Sequence, residues 1–275
     1  MWLLVLVVAS TMTSAPTNAS GWTRPPFTPL FQYQLQTGSR GPGGIDSTLC
    51  ATTRVASPCL TPRVIDIDLY GPDGTTPDVA AVRALHARGV YVICYVDAGT
   101  WESWRPDATR YPRALLGRPN GWPGERWLDI RRLSTLLPIL DARVRACARA
   151  GFNAVEFDNV DGYQNSTGFA LSARDQLRFN ESLAEVAHRF GLAAGLKNDV
   201  DQVSVLDGLF DFGVDEQCVA YHQCGPLRGF LERGRPVYDV EYRGTTASLC
   251  SSIPRGLTVI VKSLALTSTP WGVCD

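Results

Sequence analysis

Short apolar runs rich in β-branched and aromatic residues recur along the chain, with amphipathic stretches between several of them. Runs of this kind, bounded by Gly, Pro, Asn and Asp, predict buried strands. We predict eight strands, at residues 31–35, 64–70, 90–99, 152–158, 192–198, 212–218, 236–242 and 257–263.

Three of the intervening stretches have helical periodicity and end at a glycine, which favours the left-handed conformation that closes a helix. They span residues 76–89, 137–151 and 172–191. The third begins with Ser172 and has Asp175 in its first turn, as expected at a helix amino terminus.

Alternation of strand and helix builds a parallel sheet, and eight repeats in about 250 residues fit a (β/α)8 barrel. A doubly wound open sheet is the alternative, but no Gly-x-Gly-x-x-Gly turn follows a predicted strand. The glycine-rich segment at 38–44 lacks both that spacing and a phosphate-binding lysine. We therefore predict an α/β protein with one (β/α)8 TIM barrel domain over residues 21–275.

The first 20 residues have an apolar core from Trp2 to Ala9 followed by small residues. This pattern resembles a secretory signal, although no Lys or Arg precedes the core. The competing interpretation is a membrane anchor, but the run is far shorter than the roughly 20 residues that cross a bilayer. We expect residues 1–20 to be a signal peptide and the mature protein to be secreted.

Eight cysteines agree with secretion, because disulfides persist where thiols are oxidised. Neighbours in sequence suggest three pairs and leave Cys94 and Cys147; the pairs are Cys50–Cys59, Cys218–Cys224 and Cys250–Cys274. No cysteine spacing resembles a zinc site, and the three histidines are scattered. We expect neither a metal nor another cofactor.

The formal net charge of -1 and the absence of a polybasic block provide no general attraction for nucleic acid or anionic lipid. We therefore expect neither as a partner, and we expect a monomer.

Charged side chains close seven of the eight predicted strands: Asp68, Asp97, Asp158, Lys197, Glu216, Glu241 and Lys262. In a barrel the carboxyl ends of all strands lie on one face, where active sites of this fold are built. Strands that emerge into water also end in charge, but that explanation accounts poorly for seven strands together. The pattern predicts a site at this face.

Carboxylates outnumber other catalytic candidates, since no Gly-x-Ser-x-Gly turn and no well-placed histidine base is present. Two carboxyl groups whose surroundings separate their pKa values can act as acid and nucleophile in glycoside hydrolysis. Aromatic faces for sugars are available in the stretch after the third strand, at Trp101, Trp104, Trp122 and Trp127. Taken singly, a tryptophan is more often a packing residue than a stacking surface for a sugar.

An ordered series of motifs resembles the endo-alpha-1,4-polygalactosaminidase family of glycoside hydrolases, family 114. The motifs are FQYQLQ, VIDIDLY, VICYVDAGTWESWRPD, GWPGERWLDIR, GFNAVEFDNVDGYQNSTGF, GLKND, VDEQCVAYHQC and PVYDVEY. The resemblance covers about residues 32 to 262. It implies a (β/α)8 barrel and endo-cleavage of alpha-1,4-linked galactosamine polymers.

Carried over by position, the family's catalytic carboxylates fall on Asp158 and Glu216. We expect Asp158 to be the nucleophile or charge stabiliser and Glu216 the general acid, and we leave retention or inversion open. The substrate-binding set that we predict is Asp68, Tyr95, Asp97, Trp127, Asp161, Lys197, Asn198 and Glu241.

The chain departs from the family's pattern at two positions. Asp97 stands where Ser is usual and Phe157 where Pro is common, and the extra charge at Asp97 puts the sugar in doubt more than the reaction. A glycosidase for another sugar and a non-catalytic carbohydrate-binding barrel remain alternatives. A deacetylase-like hydrolase would normally need a metal.

Acids near the predicted strand ends outnumber the two lysines there, Lys197 and Lys262. They are Asp66, Asp68, Asp97, Glu102, Asp158, Asp161, Asp199, Asp215, Glu216 and Glu241. A cleft lined by one sign of charge concentrates ligands of the other sign. We therefore expect a cationic polysaccharide substrate, unless these acids face away or pair with arginines.

Overall fold

The computed structural model describes residues 21–50 and 59–274, so the predicted signal peptide at 1–20 lies outside the described residues. The strands of the described part are β1 (Phe31–Gln34), β2 (Val64–Asp68), β3 (Tyr91–Asp97), β4 (Thr100–Glu102), β5 (Leu116–Pro119), β6 (Glu125–Leu128), β7 (Ala154–Asp158), β8 (Ala193–Lys197), β9 (Phe212–Glu216), β10 (Val237–Glu241), β11 (Thr258–Val261) and β12 (Gly272–Val273). Its α-helices are α1 (Val79–His86), α2 (Leu133–Ala150), α3 (Ala173–Arg189), α4 (Val203–Leu206), α5 (Arg228–Glu232) and α6 (Thr246–Leu249).

The eight predicted strands are confirmed as one curved parallel sheet, in the order β1-β2-β3-β7-β8-β9-β10-β11. The short β12 adds an antiparallel edge to β11. Side chains bridge the seam between β11 and β1, where Trp271 Nε1 donates to the Phe31 carbonyl at 2.9 Å and Lys262 Nζ to Gln32 Oε1 at 2.6 Å. The fold is the predicted (β/α)8 barrel.

The helices follow the predicted order with shifted ends. Helix α3 has the expected capping box, in which Ser172 and Asp175 bond to each other's backbone. Helix α1 begins later than predicted because the Asp78 side chain caps it by accepting from Ala81 N. Helix α2 begins earlier, at Leu133, and contains Pro138 in its interior.

The long stretch after β3 folds into a separate three-stranded sheet in the order β4-β6-β5, which we call the hairpin sheet. Both contacts are antiparallel, and they bring Trp101 opposite Arg126 and Glu102 opposite Glu125. Because alternate strand residues face opposite sides, Trp101 and Arg126 share one face while Glu102 and Glu125 share the other.

The barrel interior changes from apolar to polar along each strand. Ile93 of β3 pairs in register with Ala154 of β7, and both are buried in the interior. The same inward faces carry Tyr95, Glu156 and Asp158 further along these strands. The apolar half stabilises the barrel, and the polar half begins where the site is expected.

Four disulfides lie in the described residues: the three expected from sequence proximity and Cys94–Cys147, which ties β3 to α2. Among the helices of this part of the chain, none is both long and apolar enough to cross a membrane.

Candidate active site

The carboxyl ends of the barrel strands surround a cleft of about 500 Å³. Five of the ten predicted site residues line it: Asp68, Tyr95, Asp158, Asn198 and Glu216. The loops after β1 and β2 form one wall, and the hairpin sheet contributes to another. The structure therefore brings half of the predicted set to the cleft surface.

Lys197 lies at the floor of the cleft with its side chain 2% exposed, between the two predicted catalytic carboxylates. Its Nζ is 2.9 Å from Asp158 Oδ1 and 3.5 Å from Glu216 Oε2. It also donates to Tyr33 OH at 3.4 Å and lies 3.6 Å from Glu156 Oε1. Burial would lower the pKa of Lys197, but the charges of Asp158 and Glu216 raise it well above its ordinary value, so the ammonium is retained.

Asp158 is held in its ionised form. Burial alone would raise its pKa, but the nearby charge of Lys197 and hydrogen bonds from Tyr95 and Lys197 outweigh burial and lower it. Tyr95 OH donates to Asp158 Oδ2 at 2.7 Å, and Asn159 Nδ2 donates to the same oxygen at 3.3 Å. A carboxylate with its charge and orientation fixed in this way is suited to attack an electrophilic carbon.

Glu216 is more accessible, with 28% of its side chain exposed against 17% for Asp158. Tyr242 OH donates to Glu216 Oε1, and the Glu216 backbone N–H donates to Asn198 Oδ1 at 2.9 Å. Asn198 and Gln217 have φ values of 50° and 67° in the left-handed region. Backbone strain of this kind is found at functional sites, where the surrounding structure holds it in place.

Buried acids lie directly beneath the cleft. Glu156 is fully buried, and burial raises its pKa to about 7 even though Lys197 counteracts this. Burial, followed by the charge of Glu156, raises the pKa of neighbouring Asp66 well above its ordinary value. Tyr33 OH donates to Glu156 Oε1 at 3.3 Å. This layer therefore holds protons that an exposed acid would release.

On one wall of the cleft, Asp68 is neutralised by an arginine. Arg105 donates to its two carboxylate oxygens at 2.9 and 2.5 Å and to Glu102 Oε1 at 2.7 Å. Arg143 reaches the other Glu102 oxygen at 3.2 Å. Burial raises the pKa of Glu102 to about 7, and the two guanidinium groups limit that rise.

Besides Lys197, which lies just beneath the cleft surface, four predicted site residues do not line the cleft. Asp97 is 1% exposed and accepts from Thr100 N at 2.9 Å, while Trp127 is 7% exposed and packs under Gly162. Glu241 is fully buried and accepts from the backbone N–H groups of residues 219 and 220, so it holds the loop after Glu216. Asp161 accepts from Asn165 in the loop after β7 at 3.3 Å.

Tryptophans at the cleft come from the hairpin sheet region, but they are not the one chosen from the sequence. Trp104 and Trp122 are 45% and 51% exposed and line the cleft. Trp101 lies outside the cleft, with its Nε1 donating to the Ala108 carbonyl at 3.0 Å. Of the four candidates, two therefore have faces available to a ligand in the cleft.

Sequence reasoning assigned no role to several residues of the site, including Tyr33, Arg105, Glu125, Glu156 and Tyr242. Tyr33 and Glu156 occupy inward positions of β1 and β7, so a period-two count back from the strand ends could have found them. Tyr242 directly follows the predicted Glu241. Arg105 and Glu125 come from the hairpin sheet region; both lie in motifs that carry the family resemblance, but strand periodicity does not predict their place.

The cleft is less acidic than the sequence predicts. Of the ten acids expected there, four line it: Asp68, Glu102, Asp158 and Glu216. Glu125 joins them, and burial raises its pKa. Among the other six, burial raises the pKa of Asp66 and Asp97 well above the ordinary value. The remaining negative charge is concentrated around the Asp158–Glu216 pair.

Two groups in the described residues have the spacing of metal ligands, but each includes a residue whose ligand atoms are already engaged. In the first, Asp97 bonds to Thr100 while Glu102 bonds to arginines. In the second, Asp215 and Asp239 flank Cys218, whose sulfur is in a disulfide.

Comparison with known proteins was made by sequence and by structure. The sequence profile of glycoside hydrolase family GH114 matches residues 11–275. Among curated proteins, none matches the chain. The crystal structure of Ega3 from Aspergillus fumigatus in complex with galactosamine is similar, with a TM-score of 0.73 and 27% identity over 97% of this chain and 100% of that one.

A more distant likeness concerns the fold alone. The glycoside hydrolase domain of PelA from Pseudomonas aeruginosa has a TM-score of 0.55 and 16% identity, over 74% of this chain and 88% of that one. Because the family profile covers nearly the whole chain, which also has the barrel and a carboxylate-lined cleft, this protein belongs to glycoside hydrolase family GH114.

Proposed function

We propose that this glycoside hydrolase is a secreted enzyme that cleaves alpha-1,4-linked galactosamine-containing polysaccharide internally, with Asp158 and Glu216 as its catalytic pair. One observation carries the proposal: the two carboxylates, from the ends of β7 and β9, enter the same cleft and are both within 3.5 Å of the Lys197 ammonium.

A retaining mechanism is part of this proposal. Lys197 Nζ lies 2.9 Å from Asp158 Oδ1 and 3.5 Å from Glu216 Oε2, so one oxygen of each carboxylate meets the same ammonium. Retaining enzymes keep their two carboxyl groups about 5 to 5.5 Å apart, whereas inverting enzymes keep them about 6.5 to 9.5 Å apart to admit a water. A pair that shares one cation favours the shorter separation.

In this mechanism Asp158 attacks the anomeric carbon while Glu216 donates its proton to the departing glycosidic oxygen. The bond to the leaving sugar breaks as the bond to Asp158 forms. Glu216 then removes a proton from water, which attacks the same carbon and releases Asp158. The hydrogen bonds from Tyr95 and Lys197 keep Asp158 ionised for the first step. The greater exposure of Glu216 suits a group that must reach both leaving group and water.

An amino sugar is supported by the galactosamine complex of the similar Ega3 structure and by the charges of the cleft. A free galactosamine unit carries an ammonium group, which Asp158 and Glu125 can attract. Arg105 offsets the charge of Asp68, so the attraction is strongest beside the catalytic pair rather than over the whole face. We expect cleavage to require a deacetylated unit near the bond that is cut.

Secretion, a single catalytic domain over residues 21–275 and action as a monomer belong to the same proposal. Four disulfides in the described residues favour an oxidising compartment. The proposed catalytic pair and Lys197 come from one chain, so a monomer would hold the complete pair.

The test is incubation of the purified protein with partly deacetylated galactosamine polymer, followed by mass analysis of the products. Oligomers of intermediate length are expected early in the reaction. Release of acetate without chain cleavage would instead indicate a deacetylase, and binding without products a non-catalytic barrel. If the protein cleaves only another polysaccharide, the proposed glycoside hydrolysis would stand, but the proposed galactosamine substrate would be wrong. An Asp158→Asn sample controls for contaminating activity.

A further inference from the structure

A second groove of about 440 Å³ lies on the hairpin sheet, adjoining the cleft. Trp122 and Glu125 line both cavities, so the two cavities meet at that wall. Trp101 and Arg126 line the groove and not the cleft. A polymer that leaves the cleft over Trp122 would enter this groove next.

The two faces of the hairpin sheet differ in charge. The face toward the cleft carries Glu102 and Glu125, which lie opposite each other in the β4–β6 pairing. The other face carries the neighbouring pair Trp101 and Arg126. Arg126 donates its Nε to the Gly117 carbonyl at 2.8 Å, which fixes the guanidinium along the groove. Glu102 is paired with arginines, so Glu125 is the acid on the first face that would attract an ammonium, whereas Arg126 would repel one on the second.

The turn that carries Trp122 is held in place before any ligand binds. Asn120 Oδ1 accepts from Trp122 N at 3.0 Å, and Asn120 Nδ2 donates to Glu125 Oε2 at 2.5 Å. Trp122 O in turn accepts from Glu125 N at 3.2 Å. Such preorganisation reduces the ordering cost of binding.

We propose that this groove, the outer groove, binds a neutral N-acetylated galactosamine unit of the chain whose deacetylated unit occupies the cleft. The tryptophan faces suit the apolar face of the sugar and the acetyl methyl group, and the Arg126 guanidinium suits the acetyl carbonyl oxygen. The inference rests on the proposed function and adds a second specificity: the enzyme selects mixed sequences, with a cationic unit in the cleft and a neutral one outside it.

The test measures binding by calorimetry in the non-hydrolysing Asp158→Asn background with three probes. Free galactosamine occupies the cleft alone, while a fully deacetylated polymer and a partly N-acetylated polymer of equal length reach the outer groove. The variant is Arg126→Glu. Its matched control is Arg118→Glu, which makes the same charge change at an exposed position of the hairpin sheet outside both cavities.

We expect Arg126→Glu to weaken binding of the N-acetylated polymer about fivefold, which corresponds to the loss of one good hydrogen bond. The same variant should strengthen binding of the deacetylated polymer and leave galactosamine unchanged. Trp101→Phe should weaken binding of the N-acetylated polymer only, with thermal unfolding as the check on folding.

Equal effects of Arg126→Glu and Arg118→Glu on all three probes would overturn the outer groove while leaving the proposed function intact. If the unmutated protein neither binds nor cleaves either polymer, the proposed function fails first, and this inference fails with it.

Discussion

Lys197 offers a direct test of how the site keeps its nucleophile ionised. The perturbation is Lys197→Met, which keeps most of the side-chain length and removes the ammonium. In the native protein Nζ lies 2.9 Å from Asp158 Oδ1. Without that cation, Asp158, Glu156 and Glu216 would lie close together with no counter-charge between them. The pKa of Asp158 should therefore rise.

The size of the rise follows from Coulomb's law. Unit charges 2.9 Å apart interact by about 6 kcal/mol at an effective dielectric of about 20. The Asp158 side chain is 17% exposed, so solvent screens part of this energy, and we retain about half, or about 3 kcal/mol. That energy corresponds to a change of about a hundredfold in the ionisation equilibrium of Asp158. Activity on the acidic side of the optimum should fall about a hundredfold.

The assay is kcat/KM against pH for the native protein and the variant. The acidic limb of the profile should move to higher pH, and activity should partly recover there. Lys262→Met is the matched control, because the chain has only two lysines and Lys262 bonds to Gln32 and to backbone carbonyls instead of carboxylates. An acidic limb that moves equally in both variants, or in neither, would refute the reasoning.

Three further predictions concern the pair, its support and stability. Asp158→Asn and Glu216→Gln should each abolish hydrolysis while leaving the fold intact; near-native turnover in either would show that the pair is wrong. Tyr242→Phe should lower kcat about tenfold with little change in KM, because Glu216 loses one hydrogen bond. The control is Tyr238→Phe, which should leave kcat unchanged because the Tyr238 hydroxyl donates to the Pro26 carbonyl instead. Burial raises the pKa of Asp215 to about 8, so the folded protein keeps a proton that the unfolded chain releases above about pH 4. The free energy of unfolding should therefore fall as the pH rises from about 4 to about 8. Chemical denaturation of Asp215→Asn should show a smaller fall over the same range. If the native protein and the variant have the same pH dependence, the proton is not held by Asp215.

The sequence by itself determined the barrel, because its evidence is local. Eight apolar runs separated by helical stretches predict eight parallel strands, and the carboxyl ends of parallel strands must share one face. This is why the ends of β7, β8 and β9 could be predicted to bring Asp158, Lys197 and Glu216 together. Their catalytic and binding roles stay predictions.

Only the tertiary structure decided which polar side chains face the cleft. Asp97 and Glu241 also end strands, but the backbone turns at Thr100 and after Glu216 bury them in hydrogen bonds. Whether a carboxyl group is ionised depends on burial and on charges brought near by distant segments, as Arg105 neutralises Asp68. Neither effect has a local pattern in sequence.

The hairpin sheet also shows that the sequence alone does not decide which side chains face the cleft. The sequence indicates tryptophans after β3, but antiparallel pairing sets which face each occupies. If the strand pairing shifted by one residue, Trp101 would turn to the face toward the cleft, and its chain neighbours Thr100 and Glu102 would turn to the opposite face. Pairing register depends on contacts between segments far apart in the chain, so the division into an acidic cleft wall and an outer groove could be decided only by the folded protein.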